Sequence, residues 1–155
     1  MPVFKTKVLP TGQTPPVPLP GALTQSGPVV QIQVEVSSSL SQRLVADKQS
    51  VPPPVSGAGL VDTGATFSAI DLKVVSRLGL QPIGAAITGT AAGRRPASVY
   101  AVKFTLPGAR IAVEDGHVLG VDLDGTGMVA LLGRSFLQNT VLIYDGLGSE
   151  FTIMI

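Results

Sequence analysis

Several residue types on which many enzymes depend are missing or scarce in this chain of 155 residues. It has no cysteine, no tryptophan and a single histidine, His117. The lack of cysteine excludes disulfides, thiol nucleophiles and zinc–thiolate or iron–sulfur sites. The single histidine excludes a multi-histidine metal site within one chain. We therefore expect no metal and no other cofactor.

Charged residues are also scarce, at 14% of the chain against about 25% in an average soluble protein. The 11 basic and 10 acidic residues leave a net charge of +1 and are mostly scattered. The chain therefore lacks the basic surface of a nucleic-acid-binding protein, and we expect no nucleic-acid partner. Because 45% of the residues are hydrophobic, the low charge suggests that part of the surface is buried against another subunit.

Long hydrophobic runs are absent too. No stretch approaches the roughly 20 apolar residues that span a bilayer, and no apolar run follows the lysines of residues 1–10 as a secretory signal requires. We therefore expect a cytoplasmic protein that does not associate with membranes.

Proline is abundant but uneven, since 10 of the 13 prolines lie in the first 54 residues. Residues 1–28 are typical of an extended, proline-rich arm, which could be a disordered tail or could wrap a partner subunit. Residues 29–155 are predicted to form one globular domain.

Short apolar segments separated by glycine-containing turns follow the arm. Val29–Val36 alternates apolar and polar residues and predicts a strand. Helical turns are predicted around 40–45, at 71–78 with Asp71 as N-cap and Gly79 as stop, and at 134–138. Further strands are predicted at 58–61, 83–90, 97–106, 110–114, 117–121, 128–132, 140–144 and 150–155. This pattern indicates a mostly β barrel or sandwich with one or two short helices.

Two hairpins are predicted within this region. The first joins 83–90 to 97–106 across a small tip at 91–95. The second joins 110–114 to 117–121 across Asp115-Gly116, which would place His117 in an exposed loop.

The segment from Gly59 to Ile70 is the best candidate for chemistry. An apolar strand ends in Asp62, and Thr63 and Gly64 then form a tight turn. A carboxylate at the end of a buried strand is costly unless it is hydrogen-bonded, and Thr63 or the amides of Gly64 and Ala65 could supply those bonds. A bare Asp-x-Gly is usually a surface turn, as Asp115-Gly116, Asp124-Gly125 and Asp145-Gly146 are expected to be. Asp62 differs from these three because apolar residues flank it on both sides.

This segment resembles the active site of retropepsin-like aspartic proteases, in which two apolar residues precede Asp-Thr-Gly-Ala. A second segment, from Leu131 to Leu137, is similar to the family's apolar-apolar-Gly-Arg stretch, at about the expected distance downstream. The resemblance covers roughly residues 29–155. It implies a retropepsin-like acid protease barrel, a homodimer, and an aspartic endopeptidase that cleaves peptide or protein substrates without a cofactor.

The resemblance also implies roles for particular residues. Because the chain has one Asp-Thr-Gly, the catalytic Asp62 would meet Asp62 of a second copy across a two-fold axis. Thr63 hydroxyls would bond between subunits beneath the carboxylates, and Gly64 would bind the substrate backbone. The terminal strand, 151–155, would join an intersubunit sheet. Supporting residues are Thr63, Gly64, Ala65, Gly133 and Arg134, and the substrate-binding flap is Thr90, Ala91, Ala92, Gly93 and Arg94.

The sequence departs from the retroviral pattern in several places. An acidic residue that pairs with the downstream arginine is replaced here by Thr66 and Phe67, so the partner of Arg134 is open, and Asp145 is one candidate. The predicted flap is rich in alanine and carries Arg94-Arg95, and the helix at 71–78 is longer than in retroviral members. These features look more like bacterial or cellular members of the clan.

The strongest alternative is a catalytically silent dimer of the same fold that binds peptides or serves assembly. The Asp62 turn also resembles a phosphate loop of the sugar-kinase, actin and chaperone ATPase clan, which needs a much longer chain. A serine hydrolase using Ser68 or Ser135 with His117 lacks the Gly-x-Ser-x-Gly elbow. A calcium loop at Asp122, Asp124 and Thr126 lacks the bidentate glutamate.

Overall fold

The computed structural model describes residues 2–7, 22–90 and 93–155. Most of the described chain is β-structure. The ten strands are β1 Val3–Lys7, β2 Val29–Val36, β3 Val55–Val61, β4 Ala69–Asp71, β5 Gly84–Thr90, β6 Gly93–Leu106, β7 Ile111–Val121, β8 Met128–Leu132, β9 Val141–Asp145 and β10 Glu150–Met154. The helices are α1 Ala22–Ser26, α2 Ser38–Ala46, α3 Leu72–Leu78 and α4 Arg134–Leu137.

Six strands close into a barrel. Their order is β2-β3-β8-β4-β7-β6, and β6 pairs back onto β2, while β5 extends the sheet beyond β6. A second sheet has the order β1-β10-β9. The mostly β barrel predicted from the sequence is confirmed, although the described residues contain four short helices and not one or two. None of these helices is long and apolar enough to cross a bilayer.

Local sequence signals explain the elements that were predicted well. In β2 the buried side chains are Val30, Ile32, Val34 and Val36, at alternate positions as the period of two requires. Asp71 caps α3 by accepting a hydrogen bond from the amide of Lys73 at 2.7 Å. Gly79 ends that helix in the left-handed conformation, with φ of 61°, where glycine has no steric penalty.

An ion pair links β2 to β6 where the barrel closes. Glu35 lies opposite Lys103, and the Lys103 Nζ is 2.9 Å from Glu35 Oε2. The Thr105 hydroxyl also donates to Glu35, at 2.6 Å. Partial burial raises the pKa of Glu35, but the hydrogen bonds from Thr105 and Lys103 outweigh it, so that the pKa is lowered.

The hairpin predicted across Asp115-Gly116 is wrong, because β7 runs without interruption through both residues. Val102 pairs with Asp115 and Tyr100 with Val118, so two residues of β7 face one of β6 in a β-bulge. The hairpin turn between β6 and β7 lies at 107–110. His117 is exposed, as expected, but it lies in a strand and not in a loop.

The terminal segments differ from the sequence-based picture in two further ways. Of the predicted arm, residues 22–26 are helical and not extended, with Ala22 and Leu23 buried in the core. Most of the arm, 8–21, lies outside the described residues, so the domain boundary at residue 28 stays a prediction. The final strand β10 lies between β1 and β9, so both of its edges are already paired within the chain.

Candidate active site

The topology of the barrel brings two distant loops together at the ends of parallel strands. β8 lies between β3 and β4, parallel to the first and antiparallel to the second. The loop of residues 62–68, which joins β3 to β4, must therefore cross the carboxyl end of β8. The chain that leaves β8 at Gly133 passes directly against this loop. We call residues 62–68 the aspartate loop.

Asp62 lies at the start of the aspartate loop and is held by backbone amides. Its Oδ1 accepts hydrogen bonds from the amides of Gly64 at 2.9 Å and Ala65 at 3.2 Å. Its own amide donates to the carbonyl of Leu132 at 2.9 Å. The two predicted amide donors are thus present, whereas the exposed Thr63 does not supply a hydrogen bond to Asp62. The Asp62 Oδ2 accepts no hydrogen bond from any described residue, and the side chain is only partly buried.

Arg134 holds the other side of the aspartate loop. Its guanidinium donates to the carbonyl oxygens of Thr63 at 2.8 Å and Gly64 at 3.0 Å, and to the Thr66 hydroxyl at 2.8 Å. Its amide donates to the carbonyl of Ala65 at 3.0 Å. Arg134 forms no ion pair with any described carboxylate, so Thr66 serves as its side-chain partner. The candidate Asp145 is not that partner, because the guanidinium contacts lie within the aspartate loop; Asp145 instead accepts from the amide of Gly148.

Gly133 lets the two segments approach closely. A Cβ at this position would lie 2.5 Å from the carbonyl oxygen of Phe67 and 2.9 Å from the amide nitrogen of Ser68. Any larger residue would push the aspartate loop away. Phe136, in the following helix, is buried and makes an edge-to-face contact with Phe104 at 5.9 Å between ring centroids. That contact fixes α4, and so Arg134, on the barrel core.

A buried polar network supports the far end of the aspartate loop, and sequence reasoning missed it. The Ser135 hydroxyl donates to Asp115 Oδ2 at 2.7 Å and accepts from the amide of Ser68 at 2.9 Å. The two serine hydroxyls are 3.1 Å apart, and the Ser68 Oγ accepts from the amide of Gly133 at 3.2 Å. One sequence signal was available, namely a serine inside the apolar run from Phe67 to Ile70.

The same network weighs against a serine hydrolase. Ser68 is fully buried and Ser135 is committed to Asp115. His117 stacks on Phe67 with ring centroids 4.0 Å apart, and no hydrogen bond joins it to either serine among the described residues. In the same described part of the chain, no group of three or more His, Asp or Glu side chains could hold a metal ion. Asp122 instead accepts a hydrogen bond from the amide of Asp124, and Asp124 pairs with Lys73.

Replacing Ser135 with alanine is expected to lower the free energy of unfolding by about 2 kcal/mol, because it leaves a buried carboxylate oxygen and a buried amide without partners. Urea denaturation followed by circular dichroism measures the change. Ser76→Ala, on the exposed surface of α3, is the matched control and should stay within about 0.5 kcal/mol of wild type. Equal stability of the two variants would show that the network contributes nothing.

The predicted flap is only partly described. β5 and β6 form an antiparallel hairpin whose last described pair is Thr90 with Gly93. Strand structure resumes at Gly93, so that Arg94 and Arg95 belong to β6 and not to a loop. Ala91 and Ala92 lie outside the described residues. The hairpin itself is confirmed, and its role as a flap stays a prediction.

Comparisons with known proteins bear on the family and the fold. A sequence profile of the family described as Aspartyl protease matches residues 53–136, more than half of the chain. No curated protein sequence matches significantly. Among solved structures, a retropepsin-like aspartic protease from Rickettsia conorii is similar, with 15% identity, 97% of this chain and 90% of that chain covered, and a TM-score of 0.50.

Two further structures show weaker similarity. The protease of simian foamy virus has 18% identity, covering 70% of this chain and 91% of that one, with a TM-score of 0.40. The retroviral protease-like domain of Ddi1 from Leishmania major has 14% identity, covering 76% and 82%, with a TM-score of 0.43. The Rickettsia similarity shows the fold, and the profile, whose match includes both the aspartate loop and Arg134, shows the family. The chain therefore belongs to the aspartyl protease family and has the retropepsin-like fold.

Proposed function

We propose that this chain is an aspartic endopeptidase whose active site forms between the Asp62 carboxylates of a homodimer. The observation that carries the proposal is the state of Asp62. Two backbone amides fix Oδ1, while Oδ2 accepts no hydrogen bond from the described residues. The carboxylate is thus fixed in a loop that Arg134 holds, and its second oxygen is available to contact a second subunit, water or a substrate. Membership of the aspartyl protease family supports the same chemistry.

The proposed reaction is a general acid–base hydrolysis. Two carboxylates that face each other share one proton, because like charges about 3 Å apart do not both ionise easily. The ionised carboxylate takes a proton from water, and the water oxygen bonds to the carbonyl carbon of the peptide. The protonated carboxyl donates a hydrogen bond to the carbonyl oxygen and so stabilises the negative charge that develops there. The carbon–nitrogen bond then breaks, and the leaving nitrogen takes a proton from the dyad.

A second copy is needed because this chain holds one Asp-Thr-Gly. The nearest similar stretch, from Asp124 to Gly127, has its threonine and glycine in the wrong order. In the structure it is a turn, and Asp124 pairs with Lys73 at 2.6 Å. A two-fold dimer would supply the second carboxylate from an identical loop.

The neighbouring residues take supporting roles in the proposal. Thr63 is exposed and is therefore available to contact the partner subunit near the axis. The amide of Gly64 already donates to Asp62 and its carbonyl accepts from Arg134, so only the second lone pair of that carbonyl is left to accept from a substrate amide. We further propose that the β5–β6 hairpin, including Thr90–Arg94, closes over a peptide that binds as an extended strand.

A peptide-cleavage assay between pH 4 and pH 7 tests the proposal. Wild-type protein is expected to cut an unbiased peptide library internally, with a specific activity that rises with protein concentration until the dimer is saturated. Asp62→Asn protein, purified in the same way, serves as the blank. Its cleavage is subtracted, so that cutting by contaminating proteases is not counted. Cleavage by a strict monomer would contradict the shared site. A dimer that binds peptides and leaves them uncut would favour the silent binding or assembly module.

A further inference from the structure

A cavity of about 570 Å³ lies between helix α2 and the segment that leads from α3 into β5. This volume falls within the range of about 300–1,000 Å³ that is typical of small-molecule sites. Two other cavities, of about 240 and 260 Å³, fall below that range. Of the described residues that line the larger cavity, none belongs to the aspartate loop. The cavity is therefore distinct from the candidate active site.

Aliphatic side chains form much of the wall of this cavity. Leu40 and Leu44 lie one turn apart on the same face of α2, and both line the cavity. No residue of α2 is fully buried. The wall also includes Leu78 and Leu80, which are 2% and 7% exposed, and Ile83, which is 63% exposed. Helix α2 thus turns its apolar face toward a space that no described side chain fills.

Backbone hydrogen bonds hold the segment between α3 and β5 in place. The amide of Leu80 donates to the carbonyl of Val75 at 3.1 Å, and the amide of Ile83 donates to the carbonyl of Val99 at 2.8 Å. The first bond ties the segment to α3, and the second ties it to β6. This side of the cavity is therefore preformed, as the walls of small-molecule sites usually are.

One charged side chain, Arg43, lines the cavity. It follows Leu40 by three positions and so lies on the same side of α2. Arg43 forms no ion pair with any described carboxylate, and none of the described lining residues is Asp or Glu. Ser39, Ser50 and Gln81 add neutral polar groups to the lining. An apolar cavity with one guanidinium that no carboxylate neutralises fits a ligand with an apolar body and a single negative charge.

We propose that this cavity binds a medium-chain aliphatic carboxylate, with its carboxylate on the Arg43 guanidinium and its chain along Leu44 and Ile83. A guanidinium can donate two parallel hydrogen bonds to one carboxylate. An alkyl chain needs no polar partner, whereas a bound peptide would bring amide and carbonyl groups that aliphatic walls do not satisfy. The proposal does not depend on peptidase activity, because the cavity and the aspartate loop share no described residue.

A titration with decanoate, followed by amide NMR spectra, tests the site. The amides of Arg43, Leu80 and Ile83 should shift and saturate, with a Kd of about 1 mM or tighter, as is reasonable for a ligand of about a dozen non-hydrogen atoms. Octanoate and hexanoate should bind more weakly, by about fourfold for each methylene removed. No saturable shift at these three amides would overturn the proposal.

Octanol and octylamine separate the contribution of the charge from that of the chain. Octanol should bind several-fold more weakly than octanoate, and the cationic octylamine should not bind beside the guanidinium. Equal affinity of all three compounds would overturn the role of Arg43. Trileucine carries the same carboxylate on a peptide backbone, and tighter binding of trileucine than of octanoate at the same amides would overturn the aliphatic acid as the occupant.

Substitution of the arginine gives the matched comparison. Arg43→Gln should raise the Kd for decanoate by about fivefold or more, since an exposed charged pair contributes less than a buried one. Arg77→Gln is the control: both arginines are exposed in the last turn of a short helix, but Arg77 does not line this cavity, so the Kd should stay unchanged. Equal Kd values for the two variants would overturn the carboxylate contact.

A second variant places a negative charge in the wall. Ile83→Asp, at an exposed position where the fold should survive, is expected to abolish decanoate binding through repulsion of the carboxylate and loss of apolar contact. Unchanged binding by this variant would show that the chain lies elsewhere. A protein that binds decanoate but cleaves no peptide supports the cavity and contradicts the proposed function, whereas a peptidase that binds no decanoate does the reverse.

Discussion

Replacing Asp62 with asparagine is expected to lower kcat/KM for peptide cleavage by about a thousandfold or more. The amide cannot take a proton from water, and a positioned general base typically contributes about 10²–10⁴-fold. The fold should survive, because an asparagine Oδ1 can still accept from the amides of Gly64 and Ala65. Steady-state kinetics gives the loss of activity, and circular dichroism with urea denaturation shows whether the protein remains folded.

Asp122→Asn is the control for the Asp62 substitution. The Asp122 Oδ1 accepts from the amide of Asp124 at 2.9 Å, the same distance as from Asp62 to the amide of Gly64. The two substitutions therefore make the same chemical change in similar turns, and the Asp122 variant should keep full activity. If both variants cleave like wild type, Asp62 is not the catalytic carboxylate.

Mixing wild-type and Asp62→Asn protein tests whether two copies share one site. If each active site needs Asp62 from both subunits, an equal mixture after subunit exchange should retain about a quarter of the undiluted activity, since only a quarter of random dimers are fully wild type. Independent sites would retain about half. The second value would contradict the shared dyad while leaving Asp62 in its catalytic role.

Gly133→Ala is expected to have the largest effect on stability, lowering the free energy of unfolding by about 3 kcal/mol. The added Cβ would meet the carbonyl oxygen of Phe67 at 2.5 Å and its carbonyl carbon at 2.6 Å. Both are backbone atoms and cannot swing aside as the end of a side chain can. Relief of this clash must move the aspartate loop, so we also expect peptide cleavage to be lost. Thermal and urea denaturation measure the first effect, and peptide kinetics the second.

Gly84→Ala is the matched control for this glycine. A Cβ at residue 84 would lie 3.8 Å from that of Val99, an ordinary van der Waals distance. The control variant should unfold within about 0.5 kcal/mol of wild type. A Gly133→Ala protein as stable and active as this control would mean that the chain leaving β8 does not press on the aspartate loop.

Local patterns predicted the elements whose cause is local. The alternation in β2 and the Asp71 cap with the Gly79 stop around α3 were correctly predicted, because each depends on residues a few positions apart. Asp115-Gly116 has an equally good local signal for a turn, yet β7 continues through it. Ser135, 20 residues away, donates to the Asp115 carboxylate, and the bulge absorbs the extra residue. Distant partners of this kind decide between two local structures that the same residues allow.

The amino-acid sequence by itself determined the chemistry that is available. A chain without cysteine and with one histidine has few catalytic schemes open to it, and the apolar residues around Asp62-Thr63-Gly64 pointed to a carboxylate. The sequence also predicted a mostly β barrel, because the alternation of apolar and polar residues and the glycine-containing turns can be recognised along the chain.

Only the tertiary structure decided how that carboxylate is held and which surface is left open. Arg134 reaches the carbonyls of Thr63 and Gly64 and the hydroxyl of Thr66, and not Asp145, because β8 lies between β3 and β4 and carries Arg134 against the aspartate loop. β10, expected to meet a partner subunit, is enclosed by β1 and β9, so the outer edges of this sheet belong to β1 and β9 among the described strands. These contacts join residues far apart in the chain, and their geometry depends on strand order, which no local pattern contains.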